Sequence, residues 1–584
     1  MVAYILLKNI KFIVGKHGSP YFIILIFLVL AFLDVLGIGM VPILITTVLA
    51  EETSEMVDGI SSLLPTSIMG DDILWLLSGI IILIFSIKSV IYILSNYMIN
   101  KFSYTIMHKN RSDLILLLLN SRYESINKKS AADFINLIQL HINQSVSNYL
   151  VPALKIFSDS LVAIFIVTYL FVSNFILTLI LITLTLILTF IYVQFFRNSL
   201  YEYGKKSYEY NHSMIDLAKS IRNGFVDIIM NGGAPYFRRL FYNNSHGFSD
   251  VTIKSATIQS IPRPILEWAV ILFVVLLIAF NSDPEHSPEI ITILATFGMS
   301  ALRLLPAATS IITSLSSMRS TKAVVEKYIK EKNLLISEQN NNYKNESDSV
   351  DVELNSKFFS KSKIISETNI TVNNLSFYHE PDNYLLNSIN LDLKKGDAIG
   401  IVGLSGSGKS TLVSLILGLL KPIKGNVCIN NINVLDLDTS KYFSYVSQFP
   451  FISNDTLLNN LVYPGCDLNK IEMINLMDLM GLADLTNGNV ARLEDLVGEK
   501  GISLSGGQIQ RIAIIRAILQ NKEILIIDEG TSALDHESSN RVLNILSEVK
   551  KSKIIIVISH RKEILEMCDN VYKLENGFLN ETQY

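Results

Sequence analysis

The sequence predicts a membrane α-helical domain of six transmembrane helices fused to an α/β domain with a mainly parallel sheet. Three observations predict it. The 584 residues are 49% hydrophobic yet 17% charged, with a mean hydropathy of +0.38, which suits a membrane part joined to a polar part. Six apolar runs reach or approach the ~20 residues that a helix needs to cross a ~30 Å hydrocarbon core. From Ile370 onward, short β-type runs such as "AIGIVG" and "EILIIDE" alternate with helical patterns, as strands joined by crossover helices do.

The apolar runs lie at about 21 to 49, 73 to 99, 149 to 172, 175 to 196, 262 to 281 and 290 to 318. The loops between them assign the sides. Residues 50 to 72 carry Glu51, Glu52, Glu55, Asp58, Asp71 and Asp72 without a Lys or Arg, and "NSDPEHSPE" at 281 to 289 also has neither. Residues 101 to 129 carry Lys101, Lys109, Arg111, Arg122, Lys128 and Lys129, and 197 to 254 carry Arg197, Lys205, Lys206, Arg222, Arg238 and Arg239. Positive residues stay inside, so both termini and these two long loops are expected to be cytoplasmic. The expected organisation is a membrane domain over 1–330, a linker over 331–369 and the α/β domain over 370–584. The Asn/Ser-rich stretch at 337 to 363 reads as a tether. No internal repeat stands out.

The formal net charge of -4 is small for this length, so nucleic acid is not an expected partner. Cys428, Cys466 and Cys568 all fall in the polar C-terminal third without a CxxC pairing and read as reduced cytosolic thiols. The first long apolar run starts near Tyr21 and extends past Leu44 without a short core and cleavage site, so no cleavable signal peptide is expected.

The chemistry concentrates after residue 400. "GLSGSGKST" at 403 to 411 follows the apolar "AIGIV" and precedes the helical "LVSLILGLL". Glycines at Gly403, Gly406 and Gly408 let the backbone around Ser405 and Ser407 turn its N–H groups, and the N-terminus of the next helix, toward phosphate oxygens. In this GxxxxGK[ST] pattern Lys409 reaches the β and γ phosphates and Ser410, followed by Thr411, coordinates Mg2+. ATP and Mg2+ are the expected ligands. "EILIIDE" at 523 to 529 is a buried strand ending in two acids. Asp528 suits a magnesium ligand, and Glu529 sits where a general base orients water against the γ phosphate.

The set Lys409, Gln448 in "YVSQ", "LSGGQ" at 504 to 508, Asp528 with Glu529, "SALD" at 532 to 535 and His560 in "VISHR" resembles the nucleotide-binding domain of ATP-binding cassette (ABC) proteins over 370 to 584. The resemblance implies that two such domains meet head to tail. Ser505 and Gly507 of one, with Gly506 and Gln508 beside them, then contact the γ phosphate held by the other. It further implies that Gln448 senses magnesium and water and that His560 holds the γ phosphate. In that family an aromatic in "SFxY" stacks on adenine. This chain departs from the pattern with "SFYH" at 376 to 379, which offers His379 in the matching slot and Tyr378 one place earlier. "VGEKG" at 497 to 501 resembles the short loop by which exporter-type cassettes touch their membrane domain. The same architecture implies short coupling helices near Ser121 to Lys129 and near Met214 to Gly224. Both halves of the composite site are present, so a homodimer is the simpler expectation, with a mixed dimer as the alternative. The expected setting is the cell inner membrane, multi-pass, with the cassette in the cytoplasm.

The membrane part is similar in short patches to lipid-linked oligosaccharide flippases of bacterial protein glycosylation: "DVLGIGMVPIL" at 34 to 44, "PRPILEW" at 262 to 268 and "RLLPAATSIITS" at 303 to 314. Arg303 lies in the sixth span, about 20 Å in if that helix enters from outside near Ile290, and Glu267 lies roughly 7 Å from the inner end of the fifth. Two readings stand side by side. Arg303 is the ion-pair partner of Glu267 or Asp159, or Arg303, Arg263 and Lys88 present cations to a phosphate or pyrophosphate head group whose tail stays in the bilayer. Asp34 in the first span is a further candidate, and Pro306 permits a bend. The expected activity is ATP-driven export or lipid flipping by a dimer, with an amphipathic or lipid-linked cargo. Export of a peptide or small hydrophobic compound, and an ATP-gated channel or regulator, are the alternatives.

Overall fold

The structure is a computed structural model that describes residues 2–15, 21–49, 71–127, 129–280, 287–342, 368–378, 384–462, 469–498, 501–530 and 535–582. Two compact units divide the chain, Met1–Ser121 with Ser125–Ser347, and Asp348–Tyr584 with Arg122–Glu124.

The described residues of the first unit are mainly helical. Helices α1 (Val2–Val14), α2 (Tyr21–Leu49), α3 (Asp71–Leu119) and α4 (Tyr123–Asn127) are followed by a helical stretch with two wide π segments that leads into α5 (Val151–Ser173). Then come α6 (Phe175–Asn223), α7 (Phe225–Met230), α8 (Ala234–Ser260), α9 (Pro262–Phe280) and α10 (Ser287–Asn342). Among the described residues, six helices are long and apolar enough to cross a membrane, and the chain is an integral membrane protein. The apolar runs cover only part of them, because α3, α6 and α10 continue well past the hydrocarbon-length stretch. Asn174 divides α5 from α6 with an extended backbone, and its side chain caps Leu177 N at 3.1 Å.

Two expectations shift. Helix α10 runs to Asn342, so residues 331–342 are helical rather than linker. The reason is that "STKAVVEKYIKEKNLLISEQ" keeps a helical apolar stripe, and Val325, Tyr328 and Leu335 from it are buried with Ile106 and Leu114. Met214 to Gly224 is not a separate short helix. It is the end of α6, and the short helix between the long arms is α7, set off by Gly224 and by Gly232 at φ +68. Helix α4 does fall inside 121 to 129. The loops at 50–70 and 281–286 and most of the tether lie outside the described residues.

The second unit begins with β1 (Asn369–Phe377) and β2 (Leu386–Lys394), which join β4 (Lys424–Ile429) and β5 (Ile432–Asn433) in an antiparallel sheet of order β2-β1-β4-β5. A six-stranded sheet has the order β10-β9-β3-β8-β7-β6, built from β3 (Ala398–Val402), β6 (Phe443–Val446), β7 (Ile524–Asp528), β8 (Ile554–Ile558), β9 (Asn570–Glu575) and β10 (Phe578–Thr582). All pairs are parallel except β9 with β10. Strands β3, β7 and β8 are buried at every position, as expected of central parallel strands covered on both faces. The principal helices are α11 (Lys409–Ile416), α12 (Lys470–Leu479), α13 (Gly506–Leu519) and α14 (His536–Lys550). Gly400 in β3 is required by packing, since a Cβ there would stand 2.5 Å from Leu565 Cδ2.

Candidate functional site

Parallel strands in register bring their C-terminal ends to one edge, and ligands of open α/β sheets bind there. Val446 pairs with Ile527 and Asp528 with Ile558. The residues that follow β6, β7 and β8 therefore converge beside the loop that follows β3. In that loop Gly406 has φ +80 and Gly408 φ +102, a conformation an L side chain rarely adopts. Gly408 is the residue just before α11, and Lys409 opens that helix, buried, with Nζ donating to the carbonyls of Gly403 at 2.6 Å and Leu404 at 3.0 Å. Its ammonium thus lies across the mouth of the loop.

This loop fits a phosphate chain. Gly403 has no room for a Cβ, which would meet Leu574 O at 2.6 Å and Ser407 Oγ at 2.8 Å, while Gly406 faces open space. Ser407 Oγ is a buried hydroxyl with no hydrogen-bond partner among the described residues. Ser410 and Thr411 lie in the first turn of α11, whose N-terminal N–H groups favour an anion. Ser410 hydrogen-bonds the Asp528 carboxylate, and Lys409 lies within electrostatic range of it. This hydroxyl and carboxylate form an oxygen donor set of the kind magnesium prefers. Burial, and then the neighbouring Glu529, push Asp528 above the usual carboxylate range.

Glu529 sits at φ +49, a left-handed backbone for a side-chain-bearing residue, and its N–H donates to Ile558 O at 2.9 Å. Strain of this kind is retained where the surroundings fix it. Gln448 Nε2 donates to Glu529 Oε2 at 2.7 Å, and His560 Nε2 stands 4.0 Å from Oε1. The structure thus brings Gln448, Glu529 and His560 onto one carboxylate. Ser505 caps α13: its Oγ accepts from Gln508 N at 3.2 Å, and Gln508 Oε1 accepts from Ser505 N at 2.9 Å. Gln508 is engaged in this capping box, which holds Gly506 and Gly507 at the helix start.

On the base side, His379 lies outside the described residues, as do Glu499 and Lys500 of "VGEKG" and residues 531–534. Tyr378 packs edge to face with Tyr384, ring centres 5.5 Å apart. Tyr384, with Leu404, Ser405, Ser407 and Glu575, lines a cleft of about 720 Å³. Sequence reasoning missed Tyr384, although it is an aromatic directly before the apolar start of β2. It also missed Tyr445, whose hydroxyl donates to Asp528 Oδ2 at 3.4 Å. Burial and the Asp528 carboxylate push that phenol above its ordinary range.

The intramembrane charges are arranged differently from the expectation. Arg303 does not pair with Glu267. Its Nε donates to Asp34 Oδ2 at 2.9 Å, and Lys88 Nζ lies 2.5 Å from Asp34 Oδ1. Glu267 is held instead by Arg263, 2.8 Å away on the same helix. Residues four apart on a helix are neighbours, so Glu267 is satisfied locally. Asp159 hydrogen-bonds Ser310 and lies within electrostatic range of Arg303, Lys155 and Asp34. Helix α10 passes through Pro306 without interruption.

Residues 386–532 match the ABC transporter family. A similar curated relative is an ATP-dependent lipid A-core flippase of Neisseria gonorrhoeae (strain ATCC 700825 / FA 1090), 37% identical over 199 residues, 34% of this chain and 32% of the relative. Another is the alpha-hemolysin translocation ATP-binding protein HlyB of Escherichia coli O157:H7, 37% identical over 216 residues, 36% of this chain and 31% of the relative. The chain thus spans about a third of the length of these two curated relatives. Among solved structures, a bacterial Atm1-family ABC exporter with ATP bound superposes with a TM-score of 0.75, covering 97% of this chain and 95% of that one at 17% identity, a likeness of fold. Residues 386–532 thus form a cassette of the ABC transporter family, and the chain has the fold of that exporter, with six helices of membrane-spanning length among the described residues.

Proposed function

We propose that this protein hydrolyses ATP to drive export, or flipping across the bilayer, of an amphipathic or lipid-linked cargo, and that it works as a homodimer in the cell inner membrane with the cassette in the cytoplasm. The observation that carries the reading is the convergence of Gln448 and His560 on Glu529 beside the phosphate-fitting loop. ATP binds with its phosphates along the backbone of Gly403 to Thr411 and its β and γ oxygens on Lys409. Ser410, Asp528 and Gln448 would hold magnesium, which would supply positive charge against the phosphates. Glu529 orients and accepts a proton from the attacking water, Gln448 fixes the carboxylate, and His560 meets the γ phosphate. Ser505 and the Gly506 and Gly507 amides at a helix start supply a second anion cradle. In a dimer they close over the nucleotide of the other copy, which links nucleotide occupancy to movement of the membrane helices.

The basic loops at 101 to 129 and 197 to 254 support a cytoplasmic cassette. The intact acid and signature in this one chain support a homodimer. For the cargo, the named activities of the relatives, lipid A-core flipping and hemolysin translocation, point to different classes. The cationic residues Arg303 and Lys88 inside the spans favour an anionic lipid such as a polyprenyl-linked glycan, and Arg263 is the third candidate. The test is ATPase activity of the purified protein in lipid vesicles with and without polyprenyl pyrophosphate. Stimulation by the lipid supports the reading, and indifference to it while a peptide stimulates sinks the lipid assignment.

A further inference from the structure

The charges within the six apolar runs can be accounted for completely. They are Asp34, Lys88, Lys155, Asp159, Arg263, Glu267 and Arg303, and the run at 175 to 196 has none. Arg263 and Glu267 form their own pair at the exposed start of α9. Four of the other five gather in one place. Lys88 from α3 and Arg303 from α10 each take one oxygen of Asp34 from α2, and Asp159 from α5 lies within electrostatic range of Arg303 and Asp34, whereas Lys155 is exposed and faces Asp159 from its own helix. At the centre of the cluster two cations, Lys88 and Arg303, share the single carboxylate of Asp34.

The exposures show which way the cluster faces. The Asp34 side chain is 0% accessible, whereas Lys88 and Arg303 retain 17% and 21%. The carboxylate is at the back, and the cations reach from it toward accessible space. Each cation also rests against an aromatic ring, Lys88 Nζ 4.9 Å from the centre of Phe85 and Arg303 Cζ 6.0 Å from that of Tyr92. Those contacts hold the cations in place independently of the carboxylate. A carboxylate bridging an ammonium and a guanidinium presents two oxygens at nearly the spacing of two oxygens on one phosphorus, the match that makes these cations good phosphate binders.

We infer that Asp34 is an internal counter-ion that keeps Lys88 and Arg303 assembled as a cation pair, and that a phosphate or pyrophosphate head group of the cargo competes with it for them. This rests on the anionic-lipid reading above and adds to it the residue that the head group must displace. Held by Asp34, the pair is stable in the absence of cargo. Displaced by a more highly charged anion, Asp34 releases α2 from its ties to α3 and α10, so that head-group binding and helix rearrangement become one event.

The test uses the full-length protein in lipid nanodiscs and a fluorescent polyprenyl pyrophosphate, with inorganic pyrophosphate and the uncharged polyprenol as further probes. The wild type is expected to bind the pyrophosphate lipid and not the polyprenol. Asp34→Asn, which removes the competitor and keeps the shape, is expected to bind it on the order of tenfold tighter, Asp34→Glu is expected to resemble the wild type, and Arg303→Gln is expected to lose binding. If the wild type binds but Asp34→Asn, with an unchanged thermal midpoint, binds no tighter, the counter-ion inference is overturned while the lipid reading survives. If the wild type does not bind the lipid, both fall. If inorganic pyrophosphate binds as well as the lipid and tightens in Asp34→Asn, the counter-ion inference holds and the lipid source is wrong. Should Asp34→Asn not fold, infrared difference spectra of the wild type decide: lipid addition shifts a buried carboxylate band if Asp34 is displaced, and an unchanged band overturns the inference.

Discussion

Gln448 and His560 approach opposite oxygens of Glu529, at 2.7 Å and 4.0 Å, so that one carboxylate is fixed by an amide on one side and faced by an imidazole on the other. General-base removal typically costs about 10²–10⁴-fold in rate. Glu529→Gln is therefore expected to keep ATP binding, measured by equilibrium titration, and to release phosphate slower by that factor. Phosphate release at the wild-type rate would remove Glu529 from the role.

Gly408 takes φ +102, and a Cβ there would stand 3.1 Å from Leu385 Cγ. Gly408→Ala is expected to cost about 1–3 kcal/mol through the strained backbone and to tilt the N–H groups away from the phosphates. A lowered thermal midpoint for the cassette, with ATP affinity reduced more than that of a distant destabilised variant, is the expected pair of results.

The order of motifs made the nucleotide site legible in the sequence, because each part is a local device: a glycine turn, a strand ending in acids, a capping box before a helix. What stayed hidden depends on contacts between distant segments. Tyr445 reaches Asp528 only because β6 lies beside β7, an adjacency that sequence spacing does not announce. Arg303 and Asp34 are 269 positions apart, and depth along single helices puts Glu267 level with Arg303, so that Glu267 or Asp159 stands as its possible partner and Asp34 does not. Depth ranks residues along the bilayer normal and says nothing of which helices are neighbours, whereas Arg263 one turn from Glu267 was the nearer local partner. The extent of α10 past the expected boundary at 330 has a related reason: the polar residues from 331 onward read as a linker, yet Leu335 continues the buried stripe of Val325 and Tyr328.

Gly204 is a position where two long helices touch. A Cβ built on it would stand 1.7 Å from Ser320 O, so α6 and α10 cross there backbone against backbone. Gly204→Ala forces them apart, and overpacking of this sort costs about 1–3 kcal/mol. The expected outcome is a lower unfolding temperature of the membrane unit in detergent, with ATP titration of the cassette unchanged.

The two arginines of the spans separate by partner. Arg263 is 75% accessible and pairs within its own helix, an arrangement worth about 0.2–0.5 kcal/mol. Arg263→Ala should leave thermal stability nearly unchanged. Arg303→Ala leaves the fully buried Asp34 with Lys88 alone, and its cost is expected near the low end of the roughly 3–5 kcal/mol seen when a buried pair is broken. Thermal unfolding of both variants in the same lipid checks the contrast, and equal effects would contradict the arrangement.

The central claim is that ATP hydrolysis at this cassette drives cargo across the bilayer. The direct measurement is transport in sealed vesicles containing the purified protein, with ATP supplied on the cassette side and a polyprenyl-pyrophosphate glycan or a peptide as cargo. The expected result is ATP-dependent translocation of the pyrophosphate lipid that stops in Glu529→Gln, while that variant still binds ATP. Translocation that continues in Glu529→Gln, or that proceeds at the same rate without ATP, would contradict it.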